Sequence, residues 1–285
     1  MAEIIDGKFV STEIRTALSR EVLEFRSNTG VTPGLAVVIV GNDPASLVYV
    51  RNKKRACEQV GINSYEISMP ENATEEELLS KIKELNSDTS VHGILVQLPL
   101  PRHICEENVI AAIDPKKDVD AFHPENVGKI MIGNYTFLPC TPAGIIDLLD
   151  HYNIDLTSKK CVVLGRSNIV GKPMAHLLLE RNSTVTVCHS RTANLEDEIK
   201  TADVLVVAIG KSEFVKGYML KPGAVVIDVG INRGEDGKLR GDVEFESASK
   251  VASFITPVPG GVGPMTITTL LKNTLYSAKM ANSRK

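Results

Sequence analysis

The chain has 285 residues, of which 43% are hydrophobic and 24% charged, and its formal net charge is −3. That length is enough for one large or two medium domains, each with its own core, and the composition is typical of a globular protein. The slightly negative charge argues against nucleic acid or an anionic membrane as the main partner. No apolar run approaches the length of a membrane span, and the start MAEIIDGKFV lacks the features of a signal peptide.

The five cysteines form no C-x-x-C pair and show no spacing typical of zinc ligands. Cys161 and Cys188 lie inside strands that the sequence predicts to be buried. Scattered, buried cysteines of this kind are typical of reduced thiols in a cytosolic protein. We therefore expect a cytoplasmic protein without a bound metal.

The first half of the chain predicts alternating helices and strands. Helices are predicted over residues 11–27, 47–60, 74–86 and 104–113, and strands over 35–40, 66–69 and 93–98. Ser46 is expected to cap the second helix and Gly61 to end it, while Thr74 and Glu77 form a capping box. Strands that alternate with helices predict a parallel sheet covered by helices.

The second half of the chain begins after a polar loop over residues 114–124. A helix is predicted over 141–152, close to the linker into a Rossmann domain, and further strands over 161–164, 184–188, 204–208 and 225–229. A last amphipathic helix runs from Met265 to about Ala281. Since a terminal helix must bury its apolar face, we expect it to pack back across the first domain.

Residues 159–191 predict a βαβ unit with a dinucleotide-binding turn. The turn runs from Gly165 to Gly171 between a buried strand and a helix, and Pro173 lies in the helix's first turn. Glycine lets backbone amides approach a phosphate, and the helix N-terminus favours its negative charge. Ser167 replaces the second glycine of the usual G-x-G-x-x-G pattern and the last glycine comes one residue late, so a plain tight turn is the alternative.

The end of the unit's second strand indicates which dinucleotide would bind. NAD-binding units usually place Asp or Glu there to bind the ribose 2′-hydroxyl, whereas this chain has His189, Ser190 and Arg191. A carboxylate would repel a 2′-phosphate, while Ser and Arg would bind one, and Arg166 could supply a second guanidinium. The sequence favours NADP over NAD, and a solvated arginine at a strand end is the alternative.

Several residues of the first half resemble parts of a catalytic site. Tyr49 and Lys53 share one face of a helix, where a lysine of lowered pKa could carry protons; a solvated face is the alternative. Gln97 interrupts an apolar strand at its carboxyl end, where ligands of α/β sheets bind and where an unpaired buried amide would be costly. Asp118 and Asp120 lie in the polar loop, with a helix cap or turn as the alternative role.

Together these residues resemble the bifunctional methylenetetrahydrofolate dehydrogenase/cyclohydrolase family, the FolD family. The resemblance covers nearly the whole chain and is carried by six motifs in order: YVRNK from Tyr49 to Lys53, GILVQLPLP at 93–101, PKKDVDAFHPENVG at 115–128, PCTPAG at 139–144, GRSNIVGKP at 165–173 and TPVPGGVGPMT at 256–266. It implies an α/β fold with two domains: a folate-binding catalytic domain, 1–140 plus the C-terminal helix 266–285, and a Rossmann-type NADP-binding domain, 141–265. The active site would lie in the cleft between them.

The resemblance also implies activity and partners. Members oxidise 5,10-methylenetetrahydrofolate to 5,10-methenyltetrahydrofolate with NADP and hydrolyse that cation to 10-formyltetrahydrofolate, in the one-carbon metabolism that supports purine biosynthesis. They act on tetrahydrofolate derivatives and form homodimers.

By resemblance, Lys53 manages protons in the hydrolysis, Gln97 is its hydrogen-bond partner, Tyr49 stacks on the folate and Asp120 anchors the pterin. Further substrate contacts are implied for Leu98, Pro99, Pro259, Gly260 and Gly261, the last two in a loop between folate and nicotinamide. Cofactor contacts are implied for Thr141, Gly165, Arg166, Ser167, Ser190, Arg191 and Ile231.

Four other functions compete with this one. A dehydrogenase-only relative would lack the lysine, and a NAD-preferring relative that recruits magnesium and phosphate is disfavoured by Ser190 and Arg191. An amino-acid or shikimate dehydrogenase would not explain Gln97 and Asp120 together with Lys53. A catalytically idle NADP-binding sensor would be expected to have lost the lysine or the glycine loop.

Overall fold

The structure, a computed structural model, describes residues 1–234 and 236–283. In chain order its elements are β1 (Glu3–Ile4), α1 (Gly7–Thr29), β2 (Gly34–Val40), α2 (Pro44–Val60), β3 (Asn63–Met69), α3 (Glu75–Ser87), β4 (Gly93–Val96), α4 (Glu106–Ala112), α5 (Pro124–Met131), α6 (Cys140–His151), β5 (Lys160–Leu164), α7 (Gly171–Glu180), β6 (Thr184–Cys188), α8 (Leu195–Lys200), β7 (Val204–Val207), β8 (Val225–Asp228), β9 (Asn232–Arg233), β10 (Leu239–Arg240), α9 (Phe245–Ala248), β11 (Phe254–Ile255) and α10 (Val262–Asn282). Among these described helices, none is long and apolar enough to cross a membrane.

The chain divides into two compact units. One contains Met1–Thr12 and Thr141–Thr266, and the other contains Glu13–Cys140 and the segment that starts at Ile267. We expected the whole N-terminus to belong with residues 13–140. Instead β1 pairs in parallel with β11, so that Glu3 lies opposite Phe254, and these backbone hydrogen bonds place the first residues in the unit of residues 141–266.

The unit of residues 13–140 is built on a three-stranded parallel sheet in the order β3-β2-β4. All residues of the central strand β2 are buried. Its alternate side chains enter two different apolar clusters, Leu35, Val37 and Ile39 in one and Ala36, Val38 and Val40 in the other. Because successive side chains point to opposite faces, a strand covered on both faces reads as an unbroken apolar run.

Helix α10 completes the first of these clusters with Ile267, Leu270, Leu271, Leu275 and Ala278. Asn273 also donates from its side-chain amide to the carbonyls of Val119 (2.8 Å) and Leu138 (3.1 Å). The expectation that the last helix packs on the first domain is therefore confirmed. Its apolar stripe fills the core that the short sheet alone leaves uncovered.

The other unit contains a six-stranded sheet in the order β1-β11-β8-β7-β5-β6, with every neighbouring pair parallel. Strand β5 lies between β6 and β7, so the chain leaves it first on one side and then crosses to the other. This reversal is a topological switch point, and ligands of such sheets bind beyond the carboxyl ends of the strands. The predicted Rossmann-type fold is confirmed.

The structure confirms some of the helix ends that the sequence predicts and contradicts others. The capping box of Thr74 and Glu77 is present, and Gly61 ends α2 in the left-handed conformation. The predicted cap Ser46 is wrong: Asp43 caps α2 by accepting from the backbone N–H of Ser46 (2.7 Å). Helix α1 begins at Gly7, earlier than predicted, because the Asp6 carboxylate accepts two N–H groups of its first turn.

Candidate active site and cofactor site

In the unit of residues 13–140, the buried Lys53 is hydrogen-bonded to the half-buried Gln97. Lys53 projects from α2 and is 8% exposed, and its ammonium donates to Gln97 Oε1 at 2.9 Å. Strand β4 ends at Val96, two residues before the predicted end at Leu98, so Gln97 is the first residue beyond its carboxyl end. The Gln97 amide then donates to the Leu98 carbonyl (2.7 Å), so its oxygen is fixed toward the lysine.

Burial sets the proton affinity of this site. It lowers the pKa of Lys53, and the neighbouring carboxylate of Asp120 partly opposes that shift. For Asp120, burial raises the carboxyl pKa and Lys53 opposes the rise. Beside them Cys140 donates its thiol to the Val119 carbonyl (3.3 Å), and burial raises its pKa well above the usual range, so it stays protonated. The lysine is therefore poised to exchange a proton more readily than an exposed lysine.

Tyr49 lies one helical turn before Lys53 on α2, and burial raises the pKa of its phenol. Leu98 and Asp120 line a small cavity of about 20 Å³ that Phe122 and Val96 also border. Pro99 is exposed, and the bond that joins it to Leu98 is cis. The structure thus groups Tyr49, Lys53, Gln97, Leu98, Pro99 and Asp120 in a single unit.

Asp118 stabilises a turn, which is the alternative role that the sequence left open for it. It is 2% exposed and accepts from the backbone N–H groups of Phe122 (3.2 Å) and His123 (2.8 Å) and from the Asn126 amide (2.7 Å). These bonds fix the loop that carries Asp120 and the start of α5. Asn126 was not singled out in the sequence, since one amide in a polar segment carries no local signal.

In the unit of residues 141–266, the turn after β5 has the shape of a phosphate site. Gly165 has φ +131°, and a Cβ there would lie 2.3 Å from the Ala208 carbonyl oxygen, so only glycine fits. In the described part of the chain, the backbone N–H groups of residues 166–169 have no protein acceptor. Four adjacent free N–H groups before the N-terminus of α7 suit an anionic diphosphate.

Ser167, predicted only as a cofactor contact, also stabilises the turn itself. Its hydroxyl accepts from the N–H groups of Val170 (3.2 Å) and Gly171 (3.3 Å), the residues that open α7. The side chain therefore closes the turn where a second glycine stands in the common fingerprint. Its backbone N–H has no protein acceptor among the described residues and stays available to a ligand.

Ser190 and Arg191 follow β6 after one intervening residue, His189, and both are exposed. The Arg191 backbone N–H donates to His189 Nδ1 (3.1 Å), which fixes the start of the loop. Neither Arg191 nor Arg166 has a salt-bridge partner among the described residues. Two unpaired guanidinium groups in the same unit suit a cofactor that carries an additional phosphate.

The remaining predicted residues of this unit lie near its loops. Ile231 is 45% exposed and follows β8, and the Thr141 hydroxyl is 2.9 Å from that of Thr266. The Val258–Pro259 bond is cis, and Gly260 has φ +115°, which a side chain would rarely adopt. The backbone conformation therefore requires glycine at position 260, in addition to the place beside the ligands that the resemblance implies for it. The implied substrate contacts are divided, with Pro259, Gly260 and Gly261 in this unit and the others in the unit of residues 13–140.

Comparisons with known proteins identify what these sites resemble. The chain matches the model "Tetrahydrofolate dehydrogenase/cyclohydrolase, catalytic domain" over residues 5–120 and "Tetrahydrofolate dehydrogenase/cyclohydrolase, NAD(P)-binding domain" over residues 139–282. It is 64% identical to a bifunctional protein FolD of Acetivibrio thermocellus, over 100% of this chain and 99% of that protein.

Two solved structures are similar over nearly their full length. A bifunctional FolD from Campylobacter jejuni has a TM-score of 0.96 and 50% identity, covering 98% of this chain and 99% of that one. A FolD from Trypanosoma brucei, solved with NADP cofactor and inhibitor, has a TM-score of 0.94 and 40% identity, covering 98% of both chains. On this evidence, the chain belongs to the tetrahydrofolate dehydrogenase/cyclohydrolase family, the FolD family.

Proposed function

We propose that this protein oxidises 5,10-methylenetetrahydrofolate to 5,10-methenyltetrahydrofolate with NADP and then hydrolyses the methenyl cation to 10-formyltetrahydrofolate. The observation that carries the proposal is the buried Lys53, fixed by Gln97, in a chain that belongs to the FolD family. A dehydrogenase without hydrolase activity would have no use for a desolvated lysine at this position. The bifunctional activity is therefore favoured over a dehydrogenase-only relative.

In the hydrolysis Lys53 is assigned the proton transfers. The neutral amine accepts a proton from water as the water oxygen bonds to the methenyl carbon. The ammonium then gives that proton to the folate N5 as the bond between N5 and this carbon breaks, and the new hydroxyl loses its proton to form the formyl group. One water is consumed and one proton is released. The lowered pKa of Lys53 makes both transfers more accessible than they would be for an exposed lysine.

The neighbouring side chains are assigned binding and orientation. Gln97 fixes the ammonium of Lys53, Tyr49 stacks on the folate, and Asp120 accepts hydrogen bonds from the amino and ring N–H groups of the pterin. A carboxylate suits such donors because a charged acceptor forms the stronger hydrogen bonds. Leu98, Pro99, Pro259, Gly260 and Gly261 are proposed to complete the folate site.

In the oxidation the protein mainly supplies alignment, because hydride transfer from the folate carbon needs no acid or base. NADP, when bound, supplies the hydride acceptor. The unpaired N–H groups of residues 166–169 are proposed to hold its diphosphate, and Arg166, Ser190 and Arg191 its 2′-phosphate. Thr141, Gly165 and Ile231 are the other proposed contacts.

Two further features belong to the proposal. A homodimer is inferred from the family. A cytoplasmic location is inferred from the five cysteines, all of which are free thiols, four of them buried.

The test is absorbance of the purified protein with methylenetetrahydrofolate and NADP, repeated with NAD. Wild type is expected to form NADPH and proceed to the formyl product, and Lys53→Met to form NADPH but accumulate the methenyl cation. Loss of a general acid–base group should slow hydrolysis by about 10²- to 10⁴-fold.

Lys54→Met is the matched control, because Lys54 is the next residue of the same helix but is exposed, with a surface ion pair to Glu66 at 3.2 Å. It should retain both activities. If wild type reduces neither cofactor with this substrate, the folate assignment is wrong. If Lys53→Met hydrolyses the cation as fast as Lys54→Met, the role of Lys53 is wrong.

A further inference from the structure

Two buried aspartates join the loops that leave the carboxyl edge of the six-stranded sheet. Asp242 is 0% exposed, and its Oδ2 accepts from the successive backbone N–H groups of Ile209 (2.7 Å) and Gly210 (2.9 Å). Its Oδ1 accepts from the side-chain amide of Asn232 (2.9 Å). One carboxylate therefore connects the turn after β7 with the segment after β8.

Asp228, the last residue of β8, holds Asp242 in place. Its carboxylate accepts from the backbone N–H groups of Gly230, Asp242 and Val243, each at 2.9 Å. Gly230 leaves the space that Asp242 occupies, because a Cβ there would lie 2.3 Å from the Asp242 carboxyl carbon. Asp228 and Asp242 thus form a packed cluster whose carboxylate oxygens accept hydrogen bonds from backbone N–H groups of the surrounding loops.

The loops that Asp242 connects border the proposed cofactor site. Strands β7 and β8 end at Val207 and Asp228, so residues 208–210 and 229–231 leave the sheet edge where dinucleotides bind. The Ala208 carbonyl lies directly against the Gly165 turn. On the other side Ile231, which precedes the Asn232 bonded to Asp242, exposes 45% of its surface although it is apolar.

We propose that Asp242 is a positioning residue of the NADP site. From a fully buried position, its carboxylate sets the shape of the turn at residues 209–210 and of the Ile231–Asn232 segment. These two segments would contact the part of the cofactor that extends beyond the ends of β7 and β8. The inference rests on the proposed function for the existence of that site. Hydrolysis of the methenyl cation needs no cofactor, so Asp242 should matter for one activity and not for the other.

The test is Asp242→Asn, which keeps the shape of the side chain but places an amide group against N–H donors. The dissociation constant for NADP, measured by calorimetry without folate, is expected to rise on the order of tenfold, equivalent to about 1.4 kcal/mol. Hydrolysis of added methenyltetrahydrofolate without cofactor should stay within about twofold of wild type, since that chemistry is assigned to the other unit. Hydrogen exchange should accelerate in peptides that contain residues 208–211 and 229–233.

Asp203→Asn is the matched control. Asp203 accepts from the Lys160 backbone N–H (2.8 Å) and from Lys221 (2.6 Å) at the amino edge of the same sheet, away from the cofactor loops. It should leave the NADP affinity unchanged. If Asp242→Asn does not fold, Asn232→Ala removes one of the same bonds at a partly exposed position and should weaken NADP binding by a smaller factor.

The outcomes separate this inference from the proposed function. If wild type binds no NADP, the proposed function is wrong. If wild type binds NADP and both Asp242→Asn and Asn232→Ala bind it with wild-type affinity, Asp242 is not a positioning residue. Equal losses of NADP binding and cofactor-free hydrolysis in Asp242→Asn would also overturn the inference, because they would indicate a global effect on folding.

Discussion

Replacing Gln97 by Glu tests how the Lys53 environment controls hydrolysis. Gln97 Oε1 lies 2.9 Å from the lysine ammonium, so the substitution places a carboxylate oxygen at the same separation. Burial lowers the pKa of Lys53 in wild type, and a second nearby carboxylate would stabilise the charged form. The lysine should then hold its proton at pH values where the wild-type residue releases it.

The size of the effect follows from the distance. Two unit charges 2.9 Å apart attract each other by about 6 kcal/mol at an effective dielectric constant of about 20. Burying the new carboxylate offsets much of this attraction. If about a quarter to a half remains, the pKa of Lys53 rises by roughly one to two units, since one unit corresponds to 1.36 kcal/mol.

The assay is the pH dependence of methenyltetrahydrofolate hydrolysis without cofactor. For Gln97→Glu the acid limb of the rate profile should move up by about one to two pH units, with a rate near neutral pH about ten- to a hundredfold lower. Gln97→Met removes the acceptor and should move the same limb to lower pH. If both profiles move in the same direction, or neither moves, proton transfer through Lys53 is not what the rate reports.

Three further predictions concern the cofactor and the buried charges. Arg191→Glu should weaken NADP binding by at least about tenfold while leaving NAD binding within a few-fold, measured by calorimetry, and equal losses for both cofactors would contradict a 2′-phosphate contact. Because the pKa of Lys53 is lowered in the fold, the folded state releases this proton first, and the lysine's contribution to stability rises with pH up to the ordinary lysine pKa. Urea unfolding should therefore show the stability of wild type relative to Lys53→Met increasing as the pH rises toward about 10, whereas a constant difference would refute the shift. Burial raises the pKa of Asp228 to about 6, so the folded state keeps this proton to a higher pH than the unfolded state does. The contribution of Asp228 to the free energy of unfolding therefore falls by about 3 kcal/mol as the pH rises from about 4 to above 6. Asp228→Asn removes that titration, so the advantage of wild type over the variant should shrink by this amount across the window, and a pH-independent difference would disprove it.

The sequence was most informative where a feature depends on neighbours in the chain. The capping box of Thr74 and Glu77 and the left-handed end of α2 at Gly61 require only residues a few positions apart. The apolar run of β2 and the glycine turn at Gly165 likewise carry their signal locally. Ser46 was predicted as the cap of α2 in place of Asp43, three residues earlier, because both side chains are able to cap a helix and only the backbone path selects one.

Short elements without a periodic pattern were missed by sequence reasoning. The β9–β10 hairpin, helices α5 and α8, and the two-residue strands β1 and β11 are too brief to show a helix or strand period. The pairing of β1 with β11 joins residues 251 positions apart, between Glu3 and Phe254. No local signal records such a contact, which is why the first residues were assigned to the wrong unit.

By itself the sequence determined the α/β class, the two-domain plan, the glycine turn after β5 and the residue types of the candidate sites, because these depend on local patterns and on motifs that resemble a family. Only the tertiary structure decided that Lys53 is buried and bonded to Gln97, 44 positions away, and that Asp118 accepts hydrogen bonds from the loop that follows it. It also decided that Asp242 connects two loops beside the proposed cofactor site. The physical reason is that burial and hydrogen bonding between distant segments fix the charge state and partner of each polar group, and neither exists before the chain is packed.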